Sequence, residues 1–354
     1  MATEFILTLQ LRSPLALHRT RASVQYVKTL DYIPGTALRG ALAEAYLAEH
    51  GTPDDTFRAL FLSERVQYGD LWPSVEGRRT TLLPTTAQAC KRHGLKHGAS
   101  LRDAILDIWA SPEGSPKCPE CGELLDRVSG YLCSVAPVES LAPCSRLRVN
   151  TAIERGTGTV ARELLFTQHT LIGQRKTKDK PEPVLFQGVV RLADPDLKRP
   201  LDALLKSPLF LGSGRSRGLG EVEIKSWTEA PDPEPLSERW HKFNETAQRA
   251  GGDPNVRYFS LTLLSHLALR DGLLRPVLGE ITPQHFELPH SVAWVHYPGS
   301  GRPVLFLNAI TVPGWNAVLG LPKPDTVALA RGSALLGRCD AGKEQVVRER
   351  LAQI

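Results

Sequence analysis

The stretch Gly212-Ser213-Gly214-Arg215-Ser216-Arg217-Gly218-Leu219-Gly220 constrains this chain more than any other. Four glycines, two serines and two arginines fall within nine residues, and an alternating run, Glu221-Val222-Glu223-Ile224, follows directly. Glycine reaches backbone conformations closed to other residues and lets a ligand come close to the chain. The amides, hydroxyls and guanidinium groups then supply donors and positive charge, a set suited to phosphate. Direction matters here. P-loops and dinucleotide fingerprints leave a strand and enter a helix, whereas this loop enters a strand and aims no helix at a nucleotide. A nucleic-acid backbone fits better than ATP or NAD, with a plain surface turn as the alternative. Gly212, Ser213, Gly214, Arg215, Ser216, Arg217 and Gly218 are the candidate contacts.

The charge distribution points the same way. The net charge is only +5 over 354 residues. Between Arg12 and Arg39 there are five cations (Arg12, Arg19, Arg21, Lys28, Arg39) and one acid, Asp31. From Arg146 to Lys180 there are eight cations and three acids, so the rest of the chain is slightly acidic. Concentrated positive charge is what a polyanion needs, and a solvated face is the bland alternative. No apolar run reaches the length of about 18 residues that a membrane span needs. Met1-Ala2-Thr3-Glu4 lacks the basic start of a signal peptide. The expected location is the cytoplasm, with no membrane partner.

Along the chain, Phe5–Leu11 alternates like a strand. Tyr32-Ile33-Pro34-Gly35 makes a turn, and Thr36 is placed to cap a helix running to about Leu47, with Leu38, Leu42, Ala45 and Tyr46 as its buried side. Gly40 inside that helix costs roughly 1 kcal/mol relative to Ala, which suggests close packing there. Val66–Tyr68 and Gly188–Leu192 read as short strands, and Leu201–Leu205 as a short helix before the glycine loop. The Pro-rich acidic run Thr228–Pro235 suits a linker, and Arg257–Leu264 reads as the first strand of a new domain. Strands with few helices and no regular βαβ alternation predict an α+β fold. The expected domains are residues 1–227, a linker over 228–256, and a smaller domain over 257–354.

Six cysteines are present. Cys118-Pro119-Glu120-Cys121 is a CxxC knuckle bracketed by Pro116 and Gly122, in a loop where thioredoxin-like chemistry would need a helix start. That favours metal. A tetrahedral zinc site needs two further ligands, and Cys90 with His97 is the first choice, His93 or Cys133 the substitutes. With no activating carboxylate nearby, such a zinc is structural, stapling an insertion over about 84–145 that has little core of its own.

Several segments together resemble a known family. Leu30-Asp31-Tyr32-Ile33-Pro34-Gly35-Thr36-Ala37-Leu38-Arg39-Gly40 is similar to the "IPGSSLRG" helix start of the RAMP superfamily, the RNA-binding subunits of CRISPR-Cas effector complexes. The loop Gly212–Gly220 resembles that family's glycine-rich loop, and Arg148–Phe166, with Ala152–Thr159, its hairpin segment. "FLSERVQYGDLWP", the cysteine insertion and the C-terminal "GWNAVLGLPKP" narrow the resemblance to the Cas-five-like subunit of type III, III-D-like, complexes. The resemblance implies two ferredoxin-like domains, the first carrying a zinc knuckle and a β-hairpin. It implies a subunit that holds the 5′ handle of the crRNA, caps a filament of backbone subunits, touches the large polymerase-like subunit, and meets target RNA only indirectly. The residues placed for RNA are Arg19, Arg21, Lys28, Thr36, Arg39, Arg148, Arg155 and the glycine loop. The helix start at Thr36–Leu38 offers amides to a phosphate, and Tyr26, Tyr32, Phe166 and Trp315 are candidate stacking faces.

Catalysis is not the expected role. His18 in the basic loop and Asp31 before the turn are the only candidates, and Asp31, fused to Tyr32-Ile33-Pro34, suits fixing that turn. General acid–base chemistry needs groups within hydrogen-bond reach, and His18 has no partner at close spacing. No paired-aspartate turn of a metal-dependent polymerase occurs. A metal-independent endoribonuclease trimming precursor crRNA and a zinc-stapled protein scaffold are the alternatives to a noncatalytic RNA binder.

Overall fold

A computed structural model describes residues 3–17, 26–75, 78–133, 139–177, 180–316 and 321–353. The chain folds as two units, one of Met1–Thr81, Tyr131–Pro231 and Pro313–Pro324, the other of Leu82–Gly130, Asp232–Val312 and Asp325–Ile354.

The first unit is built on the strand Thr3–Leu11, whose alternation buries Phe5, Leu7, Leu9 and Leu11. It pairs antiparallel with Leu185–Leu192 on one side and with Glu221–Glu229 on the other. Val66–Tyr68 and Trp72–Ser74 extend the sheet beyond Leu185–Leu192, and Leu209–Phe210 closes the opposite edge. Helix Gly35–His50 follows the strand Thr3–Leu11, and helix Lys198–Leu204 follows Leu185–Leu192. Leu38, Leu42 and Tyr46 from the first and Leu201 and Leu204 from the second join Leu7 and Leu9 in one apolar core. Helical spacing of these apolar residues against two-residue spacing in the strands is what makes a helix layer on a sheet.

The start of the long helix differs from expectation. Pro34 in extended conformation precedes it with no side-chain cap, and Thr36 lies inside the first turn, exposed. Asp70 takes the capping role instead, accepting from the Gly35 amide at 2.9 Å. The tight position is Gly35, where a Cβ would run into the Tyr68 carbonyl, whereas Gly40 has nothing within 4 Å. Close approach therefore occurs one turn before the glycine that the sequence marks.

A two-stranded hairpin, Ser145–Ile153 with Val160–Leu171, rises from this unit in antiparallel register, Arg148 opposite Gln168. The backbone of Tyr26–Val27 runs parallel beside Thr167–Gln168.

In the second unit, Val256–Thr262 pairs antiparallel with Ala334–Asp340, which also carries Ala293–Trp294 and Leu305–Phe306. Residues 228–256 are not simply a linker. Leu236–Arg249 is a helix, because Trp240, Phe243, Asn244 and Ala247 recur at helical spacing and pack inward. Asn244 locks it to the sheet, donating to the Tyr258 carbonyl at 3.0 Å and accepting from the Tyr258 amide at 2.8 Å.

The cysteine-bearing insertion divides between the units. Ala87–Cys90 pairs with Arg102–Asp103 and Leu125–Arg127. The short helix Ile105–Ala110 puts Ile105, Leu106 and Trp109 into a cluster with Ala247, Tyr258, Val295 and Leu336. Trp109 donates its indole N–H to the His296 carbonyl at 3.2 Å. Residues 82–130 therefore fold with the C-terminal part, not within residues 1–227. Three apolar side chains on a six-residue helix cannot form a core alone and take the one their neighbours offer.

Candidate nucleic-acid interface and metal centre

The glycine loop is held by backbone pairing at its base. The Ser213 amide donates to the Ala16 carbonyl and the Gly220 amide to the Pro14 carbonyl, each at 3.0 Å. Gly212, Gly214, Gly218 and Gly220 all have φ between +70° and +87°, the region that side chains resist. At Gly212 and Gly220 a Cβ would also strike the carbonyls of Ala16 and Leu211, while Gly218 faces open space. Between Gly214 and Gly218 the residues Arg215–Arg217 make one tight 3₁₀ turn.

That turn sets the two arginines apart. Arg215 lies over the Phe210 ring at 4.4 Å and donates to Glu44 at 2.6 Å. Arg217, with Gly218, lines a cavity of about 530 Å³ whose opposite side is Pro14 and the hairpin residues Arg146–Asn150. Arg146, Arg148 and Asn150 alternate with Leu147 and Val149, which are exposed. Three arginines from two elements thus line one concave surface, together with Leu147 and Val149. Arg148, Arg217 and Gly218 were legible from the sequence; Arg146 and Asn150 were missed, though both lie in the basic hairpin window and share the parity of Arg148.

The other expected contacts separate. Lys28, Thr36 and Arg39 are exposed and Arg155 sits exposed at the hairpin tip, none of them lining the cavity. The helix start at Thr36–Leu38 is not an open anion site. Asp70 already receives the Gly35 amide, and the Ala37 and Leu38 amides donate to the Pro34 carbonyl. Tyr32 is buried in the core and offers no stacking face. Asp31 accepts from the Tyr131 hydroxyl at 3.3 Å. His18, Arg19 and Arg21, and the side chains of Tyr26, Phe166 and Trp315, lie outside the described residues.

A model of the RAMP superfamily matches residues 8–223, from the central strand through the glycine loop into the strand that follows it. This chain belongs to the RAMP superfamily. No curated protein sequence matches it. Among solved structures, it is similar to a chain in the cryo-EM structure of the type III-B Cmr-beta complex bound to cognate target RNA and AMPPnP. The identity is 12%, covering 94% of this chain and 86% of that one, with a TM-score of 0.47. It is similar also to a chain of Cmr-beta bound to cognate target RNA, at 10% identity, 97% and 89% coverage and TM-score 0.46. A chain of the apo Cmr-beta complex matches at 14% identity over 64% of this chain and 97% of that one, with TM-score 0.34. No helix among the described residues of this RAMP protein is long and apolar enough to cross a membrane.

The RAMP chain carries a second centre in its other unit. Cys90, His93, His97 and Cys121 bring one ligand atom each within 4.8 Å of one another. Cys90 Sγ is 3.6 Å from Cys121 Sγ and 3.7 Å from His93 Nδ1, and His97 Nδ1 is 3.4 Å from Cys118 Sγ. Separations of this size match the edge length of a tetrahedral site with metal bonds of about 2.0–2.3 Å, and thiolate with imidazole is a borderline-soft donor set. The residues fit a metal ion. Burial pushes the Cys90 thiol up, but the His93 amide, the Cys121 thiol and the Arg92 amide outweigh it and hold it below its ordinary value. Cys118 is likewise lowered against burial, chiefly by the His97 ring and the amides of Glu120 and Cys121. Of the substitute ligands, His93 stands in the group of four, where the first choice had Cys118; Cys118 meets the group through His97 at 3.4 Å. Cys133 stands outside it, buried in the strand Tyr131–Cys133, paired with Glu139–Leu141.

Proposed function

We propose that this RAMP protein is the crRNA-binding subunit of a type III CRISPR RNA-guided interference complex, holding the 5′ handle of the guide and capping the backbone filament without cutting RNA. The observation that carries the reading is the convergence of Arg146 and Arg148 from the hairpin with Arg217 and Gly218 from the glycine loop around one cavity. Guanidinium forks bind phosphate bidentately, and three on a concave face track a chain of phosphates better than a single anion. The order strand, helix, two strands, helix, strand around Thr3–Leu11 supports a ferredoxin-like first unit. In this reading the protein works in the cytoplasm, beside backbone RAMP subunits and the large polymerase-like subunit, and meets target RNA through the guide.

The Cys/His cluster would hold one structural zinc ion, with Cys90, His97 and Cys121 as ligands and either His93, which stands in the group of four, or Cys118, 3.4 Å from His97, as the fourth. The ion supplies a fixed crossing point between the loops Lys91–Gly98 and Pro119–Gly122, and no chemistry of the RNA.

The test compares RNA carrying the repeat handle with a handle-shuffled control, without divalent metal, on native and denaturing gels. Handle-selective binding of intact RNA is expected, weakened by Arg148→Ala with Arg217→Ala. Equal binding of both RNAs removes handle recognition. Shortening of the RNA replaces the noncatalytic role with the endoribonuclease, and His18→Ala then tests its acid or base.

A further inference from the structure

We infer that the metal-stapled knuckle in the second unit is itself an RNA-phosphate contact, made by Lys91, Arg92 and Lys96. The inference rests on the reading of the chain as an RNA-binding subunit and adds a second contact surface to it.

From Cys90 to Arg102 the sequence has four cations, Lys91, Arg92, Lys96 and Arg102, and no acid. Lys91, Arg92 and Lys96 are exposed, and their backbone is fixed by the knuckle. The His93 amide donates to Cys90 Sγ at 3.4 Å, the Gly94 amide to the Cys90 carbonyl at 2.7 Å, and the Lys96 amide to the His93 carbonyl at 3.2 Å. Gly94 at φ +55° turns the chain between His93 and His97. At the far end the Ser100 hydroxyl donates to the His97 carbonyl at 2.6 Å and accepts from the Cys90 amide at 2.9 Å. The cations thus project from a closed, crosslinked loop.

The insertion also holds acids, but most are occupied. Asp103 accepts from the Thr86 hydroxyl at 2.6 Å and from the Ile105 amide at 3.1 Å. Asp107 pairs with Arg102 at 3.3 Å. Glu120 accepts from the Ala99 amide at 3.1 Å, and Asp126 from the Arg127 amide at 2.8 Å. Lys91, Arg92, Lys96 and Lys117, by contrast, have no ion-pair partner among the described residues. The run Cys90–Arg102 therefore concentrates exposed positive charge on one loop of the insertion, while the insertion's acids lie later in its sequence.

An RNA backbone fits this surface better than a protein does. Protein interfaces centre on buried apolar or aromatic anchors, and the segment Lys91–Leu101 exposes no large apolar side chain. Closely spaced cations on a rigid loop gain by releasing counterions from a phosphate chain.

The experiment uses the full chain and a fluorescent single-stranded RNA carrying the repeat handle, titrated over a range of salt without free divalent metal. Three proteins are compared: wild type, the triple variant Lys91→Glu, Arg92→Glu, Lys96→Glu, and the groove variant Arg146→Ala, Arg148→Ala. The triple variant is expected to keep its metal content and melting temperature and lose roughly tenfold in affinity, with the salt slope reduced by about 2, near 0.7 per phosphate contact. Metal-stripped wild type should lose the same increment, and metal-stripped triple variant nothing more. A charge-neutral triple glutamine variant, expected to fall between, separates lost contact from added repulsion. Unchanged affinity in the folded, metal-loaded triple variant overturns the inference, and the groove reading stands if the groove variant alone is weakened. Weakening in the triple variant alone upholds the knuckle and removes the groove. With polyglutamate titrated in parallel, loss of its binding in the triple variant with RNA binding intact assigns the surface to an acidic protein and overturns the inference as well.

Discussion

Arg215 donates to the Glu44 carboxylate at 2.6 Å, tying the glycine loop to the helix Gly35–His50 through one of the two guanidinium groups that the sequence marks for phosphate. Both side chains are more than half exposed, and such a pair contributes no more than about 1 kcal/mol. Stacking on Phe210 adds a second restraint. The two arginines of the loop therefore differ in role: Arg215 braces, Arg217 lines the cavity.

This division ranks the loop variants. Arg217→Ala and Arg148→Ala should each weaken RNA binding several-fold more than Arg215→Ala. Glu44→Gln should leave the affinity unchanged or raise it slightly by freeing Arg215. Equilibrium titrations of the four variants at one salt concentration decide it, and an Arg215→Ala loss as large as that of Arg148→Ala would sink the ranking.

The glycines rank as well. Gly220→Ala meets both a positive φ and the Leu211 carbonyl, and strain of this kind costs more than about 2 kcal/mol. Gly218→Ala meets only the positive φ, a cost of about 1 kcal/mol. Gly40→Ala, in an exposed helix interior with nothing within 4 Å, should stabilise by about 0.5–1 kcal/mol. Thermal melts of the three single variants should give that order, and a destabilised Gly40→Ala would mean that something does pack there.

What the sequence disclosed depended on how local each cause was. The strand at Phe5–Leu11 and the glycine loop were legible because alternation and positive-φ demand are written in adjacent residues. The Gly35–Asp70 contact was not, since its partners stand 35 residues apart and Thr36 offers a plausible local cap. Helix Leu236–Arg249 was hidden by its surface: Glu238, Arg239, His241 and Lys242 surround the inward Trp240, and a Pro-rich run precedes them. Composition read as linker what spacing should have read as helix. The Cys/His cluster was legible from the CxxC and the Cys and His residues upstream of it, yet nothing local says which core Trp109 joins. Arg146 and Asn150 escaped notice because only strand register places them beside Arg217.

Acid should act on the first unit through Glu139. Its carboxylate lies 2.9 Å from Arg175 and 2.8 Å from Arg78. Burial pushes its pKa up, but the Arg175 and Arg78 guanidinium groups outweigh burial and hold it below the ordinary value. A carboxyl depressed in the folded state contributes stability above its unfolded pKa and loses it as pH falls through the folded value. Wild type should therefore lose melting temperature on acidification below about pH 4.3, the ordinary glutamate value. Glu139→Gln should melt lower at neutral pH and show a shallower acid limb. Parallel limbs for the two proteins would mean that other carboxylates set the acid sensitivity.

Metal removal should act on the second unit. The candidate ligands Cys90 and Cys121 bracket a segment whose helix Ile105–Ala110 lodges Trp109 against Tyr258, ring centroids 5.1 Å apart, in the core shared with Ala334 and Leu336. Without the ion, the loops Lys91–Gly98 and Pro119–Gly122 lose their crosslink, and the insertion has only three short strands to hold that helix in place. Structural metal binding is in effect folding free energy, so the loss should spread along the shared core. Hydrogen exchange after chelation should rise across residues 87–127 and in the strand Val256–Thr262. It should stay unchanged in Thr3–Leu11 and Leu185–Leu192, whose core is separate. Cys90→Ser should reproduce the pattern, and Cys133→Ser, outside the cluster, should leave metal content intact. Uniform exchange through both units would instead make the ion a global determinant of the fold, and no change in the Val256–Thr262 strand would make the knuckle an independent module.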